Sequence, residues 1–291
     1  MRALWQRLPV LVRAVLIGGA VAIAGTGPWA LLSGANLKYF SSVPWSVPPT
    51  ALYLWFFWRY VQGAGWPRST AEARRLSLRA NRLSADVWGA ALFAGVLGLV
   101  AVVLLLRIMS RLVVVQQQQL RDLSQIPVAT LLLILLMSAV VAGVVEEASF
   151  RGYMQGPIER RHGPVIAILV TGTLFGFLHF THPEVTLVLM PYFLAVAAVY
   201  GALTYLTNSI LPALVLHGGG NFLSGLGVVA GGRDLETPSS APLIWETGAD
   251  ASFWISCAAL LVVGAAVVWA YSTLAGVARK GAVRFPTRSA D

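Results

Sequence analysis

Six polar side chains that could do chemistry stand inside long apolar stretches of this sequence. They are Glu146, Glu147, Arg151, His179, His217 and Asn221. Where an apolar stretch crosses a membrane, an ionisable group costs about 2.5–3.5 kcal/mol on insertion scales and therefore indicates a functional site. A carboxylate with an imidazole can activate a water, and a second imidazole with a carboxamide can stabilise an oxyanion. The set predicts acyl-transfer chemistry without a serine or cysteine nucleophile.

The two adjacent glutamates are predicted to have different surroundings. Glu147 and Arg151 are four residues apart, so on a helix they share a face and can neutralise each other. Glu146 is rotated by about 100° from Glu147 and has no partner at that spacing. Its carboxylate is therefore the one available as a general base or acid. The alternative is that both glutamates mark a helix end and that Arg151 is a topogenic charge.

The two histidines stand in separate stretches. His179 comes late in its stretch. It is either a functional residue or, alternatively, a histidine that only marks the membrane interface. His217 and Asn221 share a helix face, and the three glycines between them would let another backbone come close; a kink or tight packing alone is the alternative. Because polar groups in a membrane seek partners, we expect the three helices that carry these residues to converge.

The composition predicts the elements that position these residues. Apolar residues make up 57% of the 291 residues and charged residues 11%, with a mean hydropathy of +0.73. A soluble domain carries roughly a quarter charged residues, and a disordered chain is still more polar. Both classes are excluded, and the pattern is typical of a membrane protein. The single cysteine, Cys257, excludes an intramolecular disulfide and a cysteine-only metal cluster.

Eight apolar segments predict an all-α, polytopic transmembrane helix bundle. The second segment is the weakest transmembrane prediction, and it could instead be an interfacial or re-entrant segment. The first segment could instead be a cleaved signal peptide. The predicted spans are Val10–Leu32, Pro48–Val61, Trp88–Ile108, Val128–Gln155, Pro164–Phe180, Val185–Leu206, Leu211–Val229 and Phe253–Ala275.

The arginines predict the orientation of these spans. The net charge is +9, but the basic residues form short tracts in alternate loops, which predicts membrane topology rather than nucleic-acid binding. Eight spans with both termini in the cytoplasm satisfy the positive-inside rule, in a multi-pass protein of the plasma (inner) membrane. The arginine-rich stretch 69–86 is predicted to be a helix near anionic head groups or, alternatively, a solvated loop. A single integral membrane domain, 1–291, is the simplest prediction.

Three motifs in order carry a resemblance to a known family. EExxxR stands at Glu146–Arg151, FxxxH at Phe175–His179 and HxxxN at His217–Asn221. With them, residues 130–225 resemble the catalytic core of the CAAX protease and bacteriocin-processing family, also called the Abi or type II CAAX prenyl endopeptidase family.

The resemblance implies an intramembrane endopeptidase of glutamic type. In it, Glu146 is the general base for the hydrolytic water and His179 assists. His217 and Asn221 stabilise the oxyanion, while Glu147 and Arg151 orient and balance the site. The implied partners are the lipid bilayer and a membrane-associated peptide or protein substrate, with no nucleic acid.

Alternatives to this interpretation remain open. Members of the family were once described as metalloproteases, but this sequence lacks HExxH, and HxxxN supplies one histidine. No cofactor is therefore expected, and a divalent metal is the alternative. A non-proteolytic scaffold or bacteriocin-immunity-type protein and a proton-coupled transporter are the alternatives in function.

Overall fold

Helices account for every regular element that the structure describes. The structure is a computed structural model, and it describes residues 2–114, 125–180, 187–230 and 242–284, with no strand in these ranges. The predicted all-α class is confirmed. The α-helices are α1 (Arg2–Arg7), α2 (Val10–Tyr39), α3 (Val47–Val61), α4 (Ala71–Leu78), α5 (Ala85–Leu112), α6 (Val128–Glu146), α7 (Gly156–His162), α8 (Pro164–His179), α9 (Met190–Thr207), α10 (Leu211–Ala230), α11 (Ile244–Thr247) and α12 (Ala251–Arg284), with 3-10 turns at Arg68–Thr70 and Leu187–Leu189 and a π-helix at Glu147–Gln155.

Five helical segments in the described ranges are long and apolar enough to cross a membrane. An apolar core of about 30 Å needs about 20 residues, whereas α3 has 15 residues and α8 has 16. The eight predicted segments coincide with helices where they are described, but the count of eight spans and the cytoplasmic termini stay predictions. The five are Val10–Tyr39, Ala85–Leu112, Val128–His162, Leu187–Thr207 and Ala251–Lys280.

The chain forms two compact units. The first unit comprises Met1–Ala80, Leu120–Ala167 and Ala213–Thr237, and the second comprises Asn81–Gln119, Ile168–Pro212 and Pro238–Asp291. The single integral membrane domain and the catalytic core at 130–225 stay predictions.

Small residues let the helices of the first unit come close. A Cβ on Gly25 of α2 would meet the side chain of Val145 on α6 and lie 3.0 Å from the ring of Phe57 on α3. A Cβ on Gly18 would meet Met154 in the π-helix. Glycine at these two positions therefore lets α2 lie directly against α6 and the π-helix, as small residues do in membrane helix packing.

The arginine-rich stretch folds partly into the first unit. α4 makes the solvated-loop alternative wrong for residues 71–78. Arg74 and Arg79 are buried, so both side chains point into the first unit rather than toward solvent. Arg79 has a left-handed backbone with φ of 56°, and its guanidinium donates to both carboxylate oxygens of Glu159 on α7, at 3.2 and 3.3 Å.

The second unit is organised around α5, α9 and α12. A Cβ on Gly98 of α5 would lie 2.8 Å from Val199 of α9, and Tyr271 of α12 donates to the Val199 carbonyl at 3.0 Å. At one end of α5, Arg111 pairs with Asp250 at 2.8 Å. These contacts hold the three long helices together.

Candidate active site

The catalytic glutamates predicted from the sequence lie where α6 changes into the π-helix. Glu146 is the last residue of α6 and Glu147 the first of the π-helix, and all nine π-helical residues are buried. A π-turn inside an α-helix is rare and occurs mostly at functional sites. The sequence predicted one continuous helix, Val128–Gln155, and contained no signal for this change of winding.

Neighbouring backbone holds the π-helix in place. A Cβ on Gly152 would lie 3.1 Å from the carbonyl oxygens of Ser77 and Leu78, so only glycine lets α4 approach this closely. Tyr153 donates to the carbonyl oxygen of Val61 at 3.0 Å and to that of Arg74 at 3.3 Å. The segment that begins with Glu147 is thus fixed by α3 and α4.

Glycines bring α10 against α6 at the same level. A Cβ on Gly143 would lie 2.9 Å from the Leu214 carbonyl oxygen, and one on Gly218 would lie 3.2 Å from that of Ala139. Gly219 and Gly220 face open space. The prediction that a glycine beside His217 permits close backbone approach is confirmed for Gly218.

This approach places the His217 imidazole between the two glutamates. Nδ1 of His217 lies 2.8 Å from Oε1 of Glu147, and Nε2 lies 3.7 Å from Oε2 of Glu146. Nη1 of Arg151 lies 3.2 Å from the same Oε1 of Glu147. The predicted Glu147–Arg151 pair is confirmed, and so is the convergence of α6 and α10.

The hydrogen bond to Glu147 determines which nitrogen of His217 donates and how the ring is oriented. Glu147 forms an ion pair with Arg151, and a carboxylate can only accept a hydrogen bond, so Nδ1–H of His217 donates to Glu147. This bond fixes the ring and directs Nε2 toward Glu146. Arg151, Glu147 and His217 form a buried chain, whereas the Glu146 side chain keeps 25% of its surface exposed. Glu146 is therefore the more accessible of the two carboxylates, in agreement with the sequence interpretation.

Asn221 lies one turn beyond His217 on α10, and its side chain is exposed. Its spacing of four residues puts Asn221 on the same face of α10 as His217. Its role as an oxyanion donor stays a prediction.

His179 belongs to the second unit, and its own helix determines its state. Nδ1 lies 2.8 Å from the carbonyl oxygen of Phe175; because a carbonyl only accepts, Nδ1 is the protonated nitrogen. The ring lies 4.5 Å from the Phe175 ring and 4.7 Å from the Phe193 ring, between centroids. The FxxxH spacing thus places both the carbonyl and the ring of Phe175 against His179. The contact of the Phe193 ring with His179 could not be predicted from the sequence. The role of His179 beside Glu146 stays a prediction.

The Glu147 carboxylate is already engaged by two other side chains. Within the described ranges, no group of three or more His, Cys, Asp or Glu side chains could hold a metal ion. Oε1 of Glu147 already has Arg151 and His217 within 3.2 Å. The guanidinium of Arg151 therefore occupies a position from which a metal ion would have to bind this oxygen. The metal-free site stays a prediction, which activity in the presence of excess chelator would test.

Comparison with known families gives an independent test of the motifs. A family described as "Rce1-like: Type II CAAX prenyl endopeptidase Rce1-like" matches residues 128–223. The resemblance predicted from the motifs is confirmed for these residues. The Rce1-like match covers about a third of the 291 residues and contains all six candidate site residues. No curated protein and no solved structure matches the chain.

The Rce1-like match supports two general conclusions. The family is a protease family, and the match therefore supports a CAAX-type protease, which is a hydrolase. Together with its long apolar helices, the match indicates an integral membrane protein.

Proposed function

We propose that this protein is an intramembrane endopeptidase that hydrolyses a peptide bond of a membrane-associated protein or peptide near the cytoplasmic side. One observation carries the proposal. A single buried imidazole, His217, faces two carboxylates: it is hydrogen-bonded to one and lies 3.7 Å from the other. A purely structural ion pair needs only Glu147 and Arg151. The second carboxylate and the imidazole supply the proton-transfer groups that hydrolysis requires.

In the proposed reaction, Glu146 takes a proton from a water as the water oxygen attacks the peptide carbonyl carbon. The carbonyl oxygen becomes an oxyanion, which Nε2–H of His217 and the carboxamide of Asn221 stabilise. His179 helps to orient the water. The carbon–nitrogen bond then breaks, and the proton held by Glu146 passes to the leaving amine, so no covalent enzyme intermediate forms.

The Arg151–Glu147 pair behind His217 stabilises the charges of the site in an apolar setting. With the imidazole protonated, the two carboxylates of Glu146 and Glu147 balance two cations, Arg151 and His217. A charge-balanced set avoids the large cost of an isolated buried charge. Glu147 and Arg151 are therefore positioning residues in this mechanism.

The proposed topology is eight spans in the plasma (inner) membrane with both termini in the cytoplasm. The arginine tracts in alternate loops support it through the positive-inside rule. Labelling of single cysteines introduced into the loops, in a Cys257→Ser background, tests this topology. Reagents that do not cross membranes should label only the loops that carry few arginines.

The function is tested by substituting Glu146→Gln, which keeps the shape of the side chain and removes the base. Membranes that contain the wild-type protein should release peptides with new termini, identified by mass spectrometry, and the Gln variant should release them about 10²–10⁴-fold more slowly. The inactive variant should instead retain uncleaved substrates for capture.

Glu72→Gln is the matched control, because Glu72 is an exposed carboxylate on α4 that pairs only with Arg75. It should release the same peptides as the wild type. Equal peptide release by the Glu146→Gln variant would contradict the proposal and favour a non-proteolytic scaffold or immunity protein.

A further inference from the structure

The first unit contains a cavity whose walls suit an amphiphile. It has a volume of about 860 Å³ and lies among α2, α3 and α4, a size typical of small-molecule sites. Leu16 and Ile17 of α2 and Phe56 and Phe57 of α3 give it apolar walls. Most of its surface is apolar, and none of the residues that line it is acidic.

Arg74 is the charged group of this cavity, and it is nine-tenths buried, with 7% of its surface exposed. Nη2 donates to the carbonyl oxygens of Gly63 and Gly65, at 3.2 and 3.4 Å. The guanidinium lies 4.0 Å from the centre of the Tyr60 ring, a cation–π contact. These contacts fix the side chain without supplying a counter-charge.

Two donors of Arg74 lack a partner. Nε and Nη1 are buried and have no hydrogen-bond acceptor among the described residues. An unpaired buried cation is costly, since its desolvation is not repaid by an anion. Arg79, which is buried on the same stretch, shows the usual solution, because it has a bidentate carboxylate partner in Glu159. Arg74 lines the cavity but has no corresponding carboxylate partner among the described residues.

We propose that this cavity binds an anionic phospholipid, with the phosphate at Nε and Nη1 of Arg74 and an acyl chain along the α2–α3 wall. Charge complementarity calls for an anion, and a guanidinium pairs well with phosphate oxygens. The apolar wall belongs to helices of the membrane region, so the remainder of the ligand is an apolar chain. The surrounding stretch 69–86 is arginine-rich, and such segments associate with anionic lipid head groups.

The bound lipid stabilises the π-helix. Tyr153 lines the cavity, belongs to the π-helix and donates to the backbone of Arg74. A phosphate that holds Arg74 therefore also holds the acceptor of the Tyr153 hydrogen bond. This inference does not depend on the proposed function, because binding and unfolding can be measured without a substrate.

The test measures thermal unfolding of the delipidated full chain in one detergent, with added phosphatidylglycerol, phosphatidylcholine or inorganic phosphate. Phosphatidylglycerol should raise the Tm by several degrees, and the other two should leave it unchanged. Native mass spectrometry of the same samples should show one retained phosphatidylglycerol.

Two variants and two matched controls locate the site. Arg74→Gln removes the phosphate partner, and Ala20→Phe fills the cavity wall while leaving Arg74 in place. Both should abolish the phosphatidylglycerol shift. Arg75→Gln, on the exposed neighbouring arginine, and Ile23→Phe, on an exposed α2 residue that does not line the cavity, should keep it.

Three results would overturn the inference. An equal shift with phosphatidylcholine would mean that any apolar chain fills the cavity. An equal shift with inorganic phosphate would mean a soluble-anion site. A full shift in the Ala20→Phe protein would place the lipid elsewhere, and this variant decides the matter if Arg74→Gln does not fold.

Discussion

Two buried carboxylate–guanidinium pairs in the first unit differ in what surrounds them. Arg79 and Glu159 meet bidentately at 3.2 and 3.3 Å, and Glu159 also accepts from Nε2 of Gln155 at 3.1 Å. Arg151 and Glu147 meet at 3.2 Å, but Glu147 also accepts from His217, whose other nitrogen faces Glu146. The first pair joins α7 to the end of α4. The second adds an imidazole and another carboxylate, which a structural pair does not need.

Burial of charge alone therefore does not identify a functional site. Both pairs are almost inaccessible, and both would be costly to break. What separates them is a titratable side chain that faces a more exposed carboxylate. Substitutions in each pair test whether the two differ in function.

Glu159→Gln should have the largest effect on folding. It leaves the buried Arg79 guanidinium without its carboxylate, and removal of one partner of a buried pair costs about 3–5 kcal/mol. Denaturant unfolding in micelles measures this loss. Peptide release per folded molecule should stay close to that of the wild type.

The double variant Arg79→Met with Glu159→Leu is the control for this prediction. Replacement of both partners by apolar residues should recover most of the stability, because no buried charge is left unpaired. A Glu159→Gln protein that is stable but inactive would place this pair in the catalytic machinery and remove the distinction.

Asn221→Ala should have the next largest effect, on catalysis alone. Loss of one oxyanion donor lowers kcat by about 10²–10³-fold, whereas the exposed position of Asn221 predicts unchanged unfolding. Rates of peptide release together with unfolding curves measure both quantities. An unchanged kcat would remove Asn221 from the mechanism and leave His217 as the donor.

Asp250 should give the smallest effect, since 53% of its side chain is exposed. Hydrogen bonds from Arg111, from the Phe253 backbone and from Ser252 hold the pKa of the Asp250 carboxyl well below its ordinary value. A lowered folded-state pKa gives stability that is present above the unfolded pKa of about 3.9 and is lost as pH falls through the folded value. The difference in stability between wild type and Asp250→Asn should therefore be constant above about pH 5 and shrink below about pH 4.

Comparison with an exposed pair sharpens this last prediction. Glu72 is hydrogen-bonded by Arg75, which also lowers the pKa of the Glu72 carboxyl. Glu72→Gln should show the same direction of pH dependence. A stability difference that does not change with pH for Asp250→Asn would contradict the assigned hydrogen bonds.

Local patterns in the sequence predicted local structure well. The four-residue spacing predicted the Glu147–Arg151 pair, and apolar length predicted helices at the described parts of all eight segments. The ordered motifs predicted the family that matches residues 128–223. These features depend on neighbours within a few residues, or on helix length, which the sequence displays directly.

Features that depend on tertiary contact could not be predicted. The π-helix at Glu147 rests on contacts of Gly152 and Tyr153 with α3 and α4, and Arg74 turns inward because Gly63 and Gly65 offer carbonyls. His217 meets Glu147 across 70 positions of sequence. Three glycines beside a histidine indicated close packing but not which carboxylate the ring would meet.

The central claim is that Glu146 performs proton transfer while Glu159 only stabilises the fold. The most direct measurement is the rate of peptide release per folded molecule for Glu146→Gln and Glu159→Gln in proteoliposomes, with a substrate captured by the inactive variant. We expect Glu146→Gln to lower the rate by about 10²–10⁴-fold with unchanged unfolding, and Glu159→Gln to do the reverse. Wild-type rates in the Glu146→Gln protein would contradict the account.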